Sequence, residues 1–154
     1  MRLVPSKFPL FVFEALGSLA CGFYGNYVFF LFRDRHGFGN LGNLGVAALM
    51  GLVIAIASWR SGKLAQNRGC TRTMILGLLG MIVALAVGAV FSSLPAQLAV
   101  MVVWATSQFM VWPALEALVT EGASGSARAH LVGIYSVVWA ACSALSYFFW
   151  RQPV

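Results

Sequence analysis

Residues 59–72 read WRSGKLAQNRGCTR and carry Arg60, Lys63, Arg68 and Arg72, four of the ten basic residues of a chain in which 9% of residues are charged. On both sides the sequence turns apolar, with LGNLGVAALMGLVIAIASW before it (Leu41–Trp59) and TMILGLLGMIVALAVGAVF after it (Thr73–Phe91). About 20 apolar residues cross a bilayer as a helix, and both runs reach that length. Lipid offers no hydrogen-bond partners to backbone groups, so a spanning segment of this kind is helical. A basic turn between two such runs is therefore the tip of a membrane-embedded helical hairpin.

Three more runs extend the pattern outward. They cover about Phe8–Phe32 with Glu14 as the only charge, about Ala96–Thr120 with Gln108, Pro113 and Glu116, and about His130–Trp150. The whole 154-residue chain is 60% hydrophobic, with four acids and a mean hydropathy of +0.85, whereas about a quarter of the residues in a soluble domain are charged. The expected fold class is all-α: a polytopic integral membrane protein of five transmembrane helices in a single membrane domain, residues 1–154.

The net charge of +6 follows the positive-inside rule. With a cytoplasmic N-terminus, Arg2, Lys7, Arg60, Lys63, Arg68, Arg72 and Arg128 lie inside, and Arg33, Arg35 and Arg151 outside. No basic helix or aromatic-basic platform is left over for nucleic acid. Arg2, Lys7 and GSLAC (17–21) also fit the start of a cleavable signal. The apolar run continues past Cys21 to Phe32, however, and Glu14 interrupts the would-be signal core, both of which favour a retained helix. Cys21, Cys70 and Cys142 show no metal-ligand spacing and no pairing pattern, so neither a metal nor a cofactor is expected.

Helices in lipid associate where small residues let backbones approach. Four stripes at a spacing of four offer this: Gly17, Cys21 and Gly25; Ala47, Gly51 and Ala55; Gly80, Ala84 and Gly88; Ser136, Ala140 and Ala144. The fourth helix instead presents Gln108, Trp112 and Glu116 on one face. A carboxylate in a spanning helix costs about 3 kcal/mol on insertion scales, so Glu14 and Glu116 are candidates for a protein- or water-lined cavity. Each also has a plainer reading as a near-interfacial group hydrated or paired with a base, for which Lys7 and Arg128 are available. Tyr135, Trp139, Cys142 and Ser146 share a face of the fifth helix. With Gln108 and Trp112, Tyr135 and Trp139 are candidates to line a small-molecule site.

Between a second and a third helix, GKLAQNRGCTR resembles the loop signature of the major facilitator superfamily of secondary transporters, G-x-L-a-D-R-x-G-R-[KR]. Gly62, Leu64, Ala65 and Gly69 fall on their places, Arg68 on the variable one, with Arg72 near the basic end. Gln66 stands for the acid, Asn67 for the arginine beside it and Cys70 for another base. Downstream, WPALEALVTEGASGSARAHLVGIYSVVWAACSAL is similar to the family's passage from helix four to helix five. Gln108 matches the glutamine of R-x-x-Q-G, but Ala105 replaces the arginine that the family associates with proton coupling. WAACSALSYFF lacks the glycine-proline signature of antiporters.

The resemblance implies helices one to five of an N-terminal half, hence a fragment or truncated form of a transporter that moves a small solute by alternating access, with protons as the candidate coupling ion. The implied partners are membrane lipids, the small-molecule substrate, and either a missing C-terminal half or other helices. The implied location is the inner membrane of a bacterium. The competing reading is a small non-transporting scaffold or subunit that packs against partner helices. An enzyme is not expected: zinc-binding His-Glu clusters, nucleophile elbows and phosphate loops are all missing, and His36 and His130 fall on opposite sides of the membrane.

Overall fold

The computed structural model describes residues 7–150, Trp150 by its backbone alone. Arg2, Arg151 and the closing RQPV lie outside the described residues. The described chain contains α1 (Phe8–His36), α2 (Asn40–Arg68), α3 (Cys70–Val90), α4 (Leu94–Thr120) and α5 (Gly125–Trp150), with no strand among the described residues. All five are long and apolar enough to cross a membrane.

Several helices run past the apolar limits read from the sequence. α1 ends at His36 rather than Phe32, α2 at Arg68 rather than Trp59, and α5 starts at Gly125 rather than His130. At 1.5 Å per residue, the 29 residues of α2 extend about 43 Å, against a hydrocarbon core of about 30 Å. The surplus is the polar segment after Trp59. Hydropathy marks where lipid ends, and the good helix formers Lys63, Leu64, Ala65, Gln66 and Arg68 keep the backbone helical beyond that level.

The turn expected over 59–72 therefore contracts to one residue. Gly69 has φ 86° and ψ 150°, a region open essentially to glycine alone. Its N–H donates to Ala65 O at 2.9 Å to close α2, while its carbonyl accepts from Thr73 N at 3.2 Å and Thr73 Oγ1 at 3.0 Å to open α3. Gly69→Ala is expected to cost about 1–3 kcal/mol, read as a lower midpoint of thermal unfolding in detergent. Gly62→Ala, where a Cβ meets nothing within 4 Å, is expected to leave the midpoint level or raise it. Equal midpoints for wild type and Gly69→Ala would remove this account of the joint.

The described residues form two compact units, 28–115 and 7–27 with 116–150, so α1 and α4 each contribute to both. In the first, Val28, Phe32, Met101, Trp104 and Ala105 are at most 2% exposed. α3 lies on α4 through glycines: a Cβ on Gly77 would come within 2.6 Å of the Ser107 carbonyl oxygen, and one on Gly80 would collide with Ser107 Oγ. Gln97 Nε2 then donates to Gly88 O at 2.8 Å and Phe91 O at 2.7 Å, satisfying carbonyls at the end of α3. Pro113 sits inside α4, which nevertheless remains one helix through Thr120.

Among the four small-residue stripes, only Gly80, Ala84 and Gly88 pack as a set. Gly17, Gly25 and Gly51 have nothing within 4 Å of a built Cβ, and Ser136, Ala140 and Ala144 are exposed. The spacing of four is a property of one chain, whereas the face that packs is chosen by the partner helix. In the second unit α1 uses Ser18 and Gly22 instead, and a Cβ on Gly22 would strike Ser146 of α5.

Candidate functional site

The second unit has an unusual interior for a membrane bundle, because its buried residues include Glu14, Ser18, Thr120, Tyr135 and Ser146 alongside Cys21 and Val119. Glu14 is 0% exposed. A carboxylate so placed in a spanning helix must recover its insertion cost from polar neighbours or through function.

Ser18 supplies one neighbour. It lies one turn along α1 from Glu14, and its Oγ donates to Glu14 Oε1 at 2.6 Å. Hydroxyls inside helices commonly bond back to the carbonyl four residues earlier, as Ser58, Thr106 and Ser136 do in this chain. Ser18 turns instead to the side chain at that spacing. Glu14 Oε2 makes no hydrogen bond of its own among the described residues. Tyr135, buried on α5, faces the same carboxyl, and Glu116 of α4 lies within electrostatic range of both.

Among the described residues no cation forms an ion pair with Glu14. Lys7, which the sequence offered as a partner for a carboxylate, donates to Val119 O at 2.6 Å and Glu121 O at 2.8 Å. These carbonyls lie at and just past the C-terminal turn of α4, the negative end of its dipole, where a cation is favoured. The plain pairing of Glu14 with Lys7 is thereby corrected. Arg128, in the first turn of α5, is exposed and makes no ion pair with Glu116, since the sole salt bridge among the described residues joins Arg33 to Asp34.

The remaining candidates divide between the two units. Glu116 is exposed on α4, and Trp139 is 46% exposed one turn from Tyr135. Gln108 and Trp112 belong to the other unit, where Gln108 is buried and Trp112 stands edge-on to Phe109 with centroids 5.9 Å apart. The signature residues divide between two helices: Gly62, Leu64, Ala65, Gln66 and Arg68 finish α2, Gly69 forms the joint, and Arg72 lies in the first turn of α3. Ser18 was not singled out as a site residue from the sequence, and Ser146 entered only through the helix face it shares with Tyr135. The position of Ser18, four residues after an intramembrane acid, was the available signal.

All three cysteines are free, and no group of three or more His, Cys, Asp or Glu residues gathers among the described residues to hold a metal. The arrangement can exchange a proton or hold a cationic group: an acid, two hydroxyl neighbours and one unpartnered oxygen. A family model described as Major Facilitator Superfamily matches residues 3–147 of the chain. Neither a curated protein nor a solved structure matches it.

Proposed function

The chain belongs to the major facilitator superfamily, and from that premise we propose that it carries a small solute across the membrane by alternating access. Members of this family are transporters rather than enzymes, and five helices long and apolar enough to span support an integral, multi-pass membrane protein. The observation that supports a working site is Glu14, fully buried in a spanning helix with, among the described residues, one oxygen unpartnered and no ion pair. A proton or the cationic group of a solute would supply the missing charge, and Ser18 and Tyr135 would orient the carboxyl for either. Protons are the proposed coupling ion. The proposed setting is the inner membrane of a bacterium with the N-terminus in the cytoplasm, which puts the α2–α3 joint on the cytoplasmic side.

Glu116 favours a second element of the reading. An exposed carboxylate at membrane depth calls for cover by protein or water, and partner helices against that face of α4 would provide it. The same observation suits a non-transporting subunit. Liposomes containing the chain, loaded and challenged with radiolabelled amines, sugars and carboxylates under an imposed pH gradient, separate the two. Accumulation of one solute that collapses when an ionophore dissipates the gradient is the expected result. A chain that moves neither solute nor protons in this assay belongs to the subunit class.

A further inference from the structure

A groove of about 310 Å³ runs between α2 and α4 within the unit of residues 28–115. Val53, Ile56, Ala57, Arg60, Ser61 and Leu64 line it from α2, at the three- and four-residue spacings of a single helix face. Val102, Thr106 and Met110 line it from α4, again one turn apart. From Val53 to Leu64 the stripe rises about 16 Å. Thr106 turns its hydroxyl back to Val102 O at 2.8 Å, leaving its methyl as the group free to face an apolar occupant.

The charged member is Arg60. Beside it Trp59 is 64% exposed with the Lys63 ammonium 4.3 Å from its ring centroid, an amphipathic aromatic and a cation of the sort found at headgroup level. Nothing in its own unit neutralises Arg60. From Asp34 to Glu116 the sequence holds no other acid, and Asp34 is engaged by the adjacent Arg33 at 3.0 Å. The unit therefore presents a largely apolar furrow whose polar end carries a guanidinium with no acid of its own unit to answer it, and whose fork matches a phosphate.

We propose that this groove is a binding site for an anionic phospholipid, with an acyl chain between α2 and α4 and the phosphate on Arg60. The charge balance selects a lipid over an apolar partner helix, which would leave Arg60 unanswered. It also favours an anionic headgroup over a zwitterionic one, whose own ammonium already neutralises its phosphate.

The test is native mass spectrometry of the purified chain in detergent with added dioleoyl-phosphatidylglycerol or dioleoyl-phosphatidylcholine. Wild type is expected to retain one phosphatidylglycerol in preference to phosphatidylcholine. Arg60→Gln is expected to lower that preference about tenfold, the size of one charge-assisted contact, while still taking up either lipid. Ile56→Trp, at a half-exposed lining position, is expected to reduce retention of both. Lys63→Gln reports the general basic surface and is expected to keep the preference. An Arg60→Gln chain with wild-type preference would overturn the site, as would Lys63→Gln losing as much as Arg60→Gln. A change of oligomeric state rather than of lipid retention in Ile56→Trp would assign the groove to a second copy and overturn it equally.

Discussion

Glu14→Gln should reduce solute accumulation at least about a hundredfold while leaving the chain as stable as wild type or more so. The first half follows from removing one member of a buried charged contact, about 3 kcal/mol or more, at about 1.4 kcal/mol per tenfold. The second follows from the local geometry. A glutamine retains an oxygen to accept from Ser18 Oγ, now 2.6 Å from Glu14 Oε1, and it removes a charge that has no ion pair among the described residues. Groups kept for function rather than stability behave in this divided way. Paired measurements check it: uptake in liposomes and the unfolding midpoint in detergent. Ser18→Ala should cost about 1–3 kcal/mol, since the carboxyl stays buried while the hydroxyl that donates to it is lost. Retained uptake in Glu14→Gln would remove the carboxylate from the mechanism. A collapsed midpoint would make its role structural.

The second large effect is expected at Gly77. A methyl there meets the Ser107 carbonyl oxygen at 2.6 Å, Val111 Cγ2 at 2.7 Å and Met110 Cβ at 3.0 Å. Backbone and Cβ atoms cannot rotate away, so Gly77→Ala must push α3 off α4, at about 1–3 kcal/mol for an overpacked contact. Gly80→Ala is milder, because its principal obstacle is the rotatable Ser107 hydroxyl. Gly51→Ala meets nothing and should gain about 0.5–1 kcal/mol from helix propensity. The ranking of unfolding midpoints, Gly51→Ala above wild type above Gly80→Ala above Gly77→Ala, is the measurement. An unaffected Gly77→Ala would mean that α3 and α4 are not in the close contact described.

The five spans were legible because each apolar run is as long as the bilayer is thick, a signal that tertiary structure does not have to decide. Their ends were less so. Arg60, Lys63 and Arg68 look like loop to a hydropathy reading, yet water-exposed helix tolerates them as well as loop does. Glu14 was legible as a candidate because an acid at that depth is costly whatever surrounds it. Its surroundings were not legible: Lys7 and Ser18 both lie within two helical turns of it, and the end of α4 offers Lys7 two carbonyls instead. The glycine stripes show the same division, since periodicity on α1 marked Gly17 and Gly25 while the contact fell on Gly22.

The joint at Gly69 bears on where this protein can be cut or extended. The polar segment around it, rich in arginine and lysine, is the natural choice for an epitope tag or a tryptic nick. Both operations need several residues of slack chain, and here Arg68 closes one helix while Cys70 opens the next. An insertion has no loop to lengthen and must unwind a helix end instead, and a protease must wait for the same unwinding. A stretch that looks like the most open part of the sequence is thus the tightest corner of the hairpin.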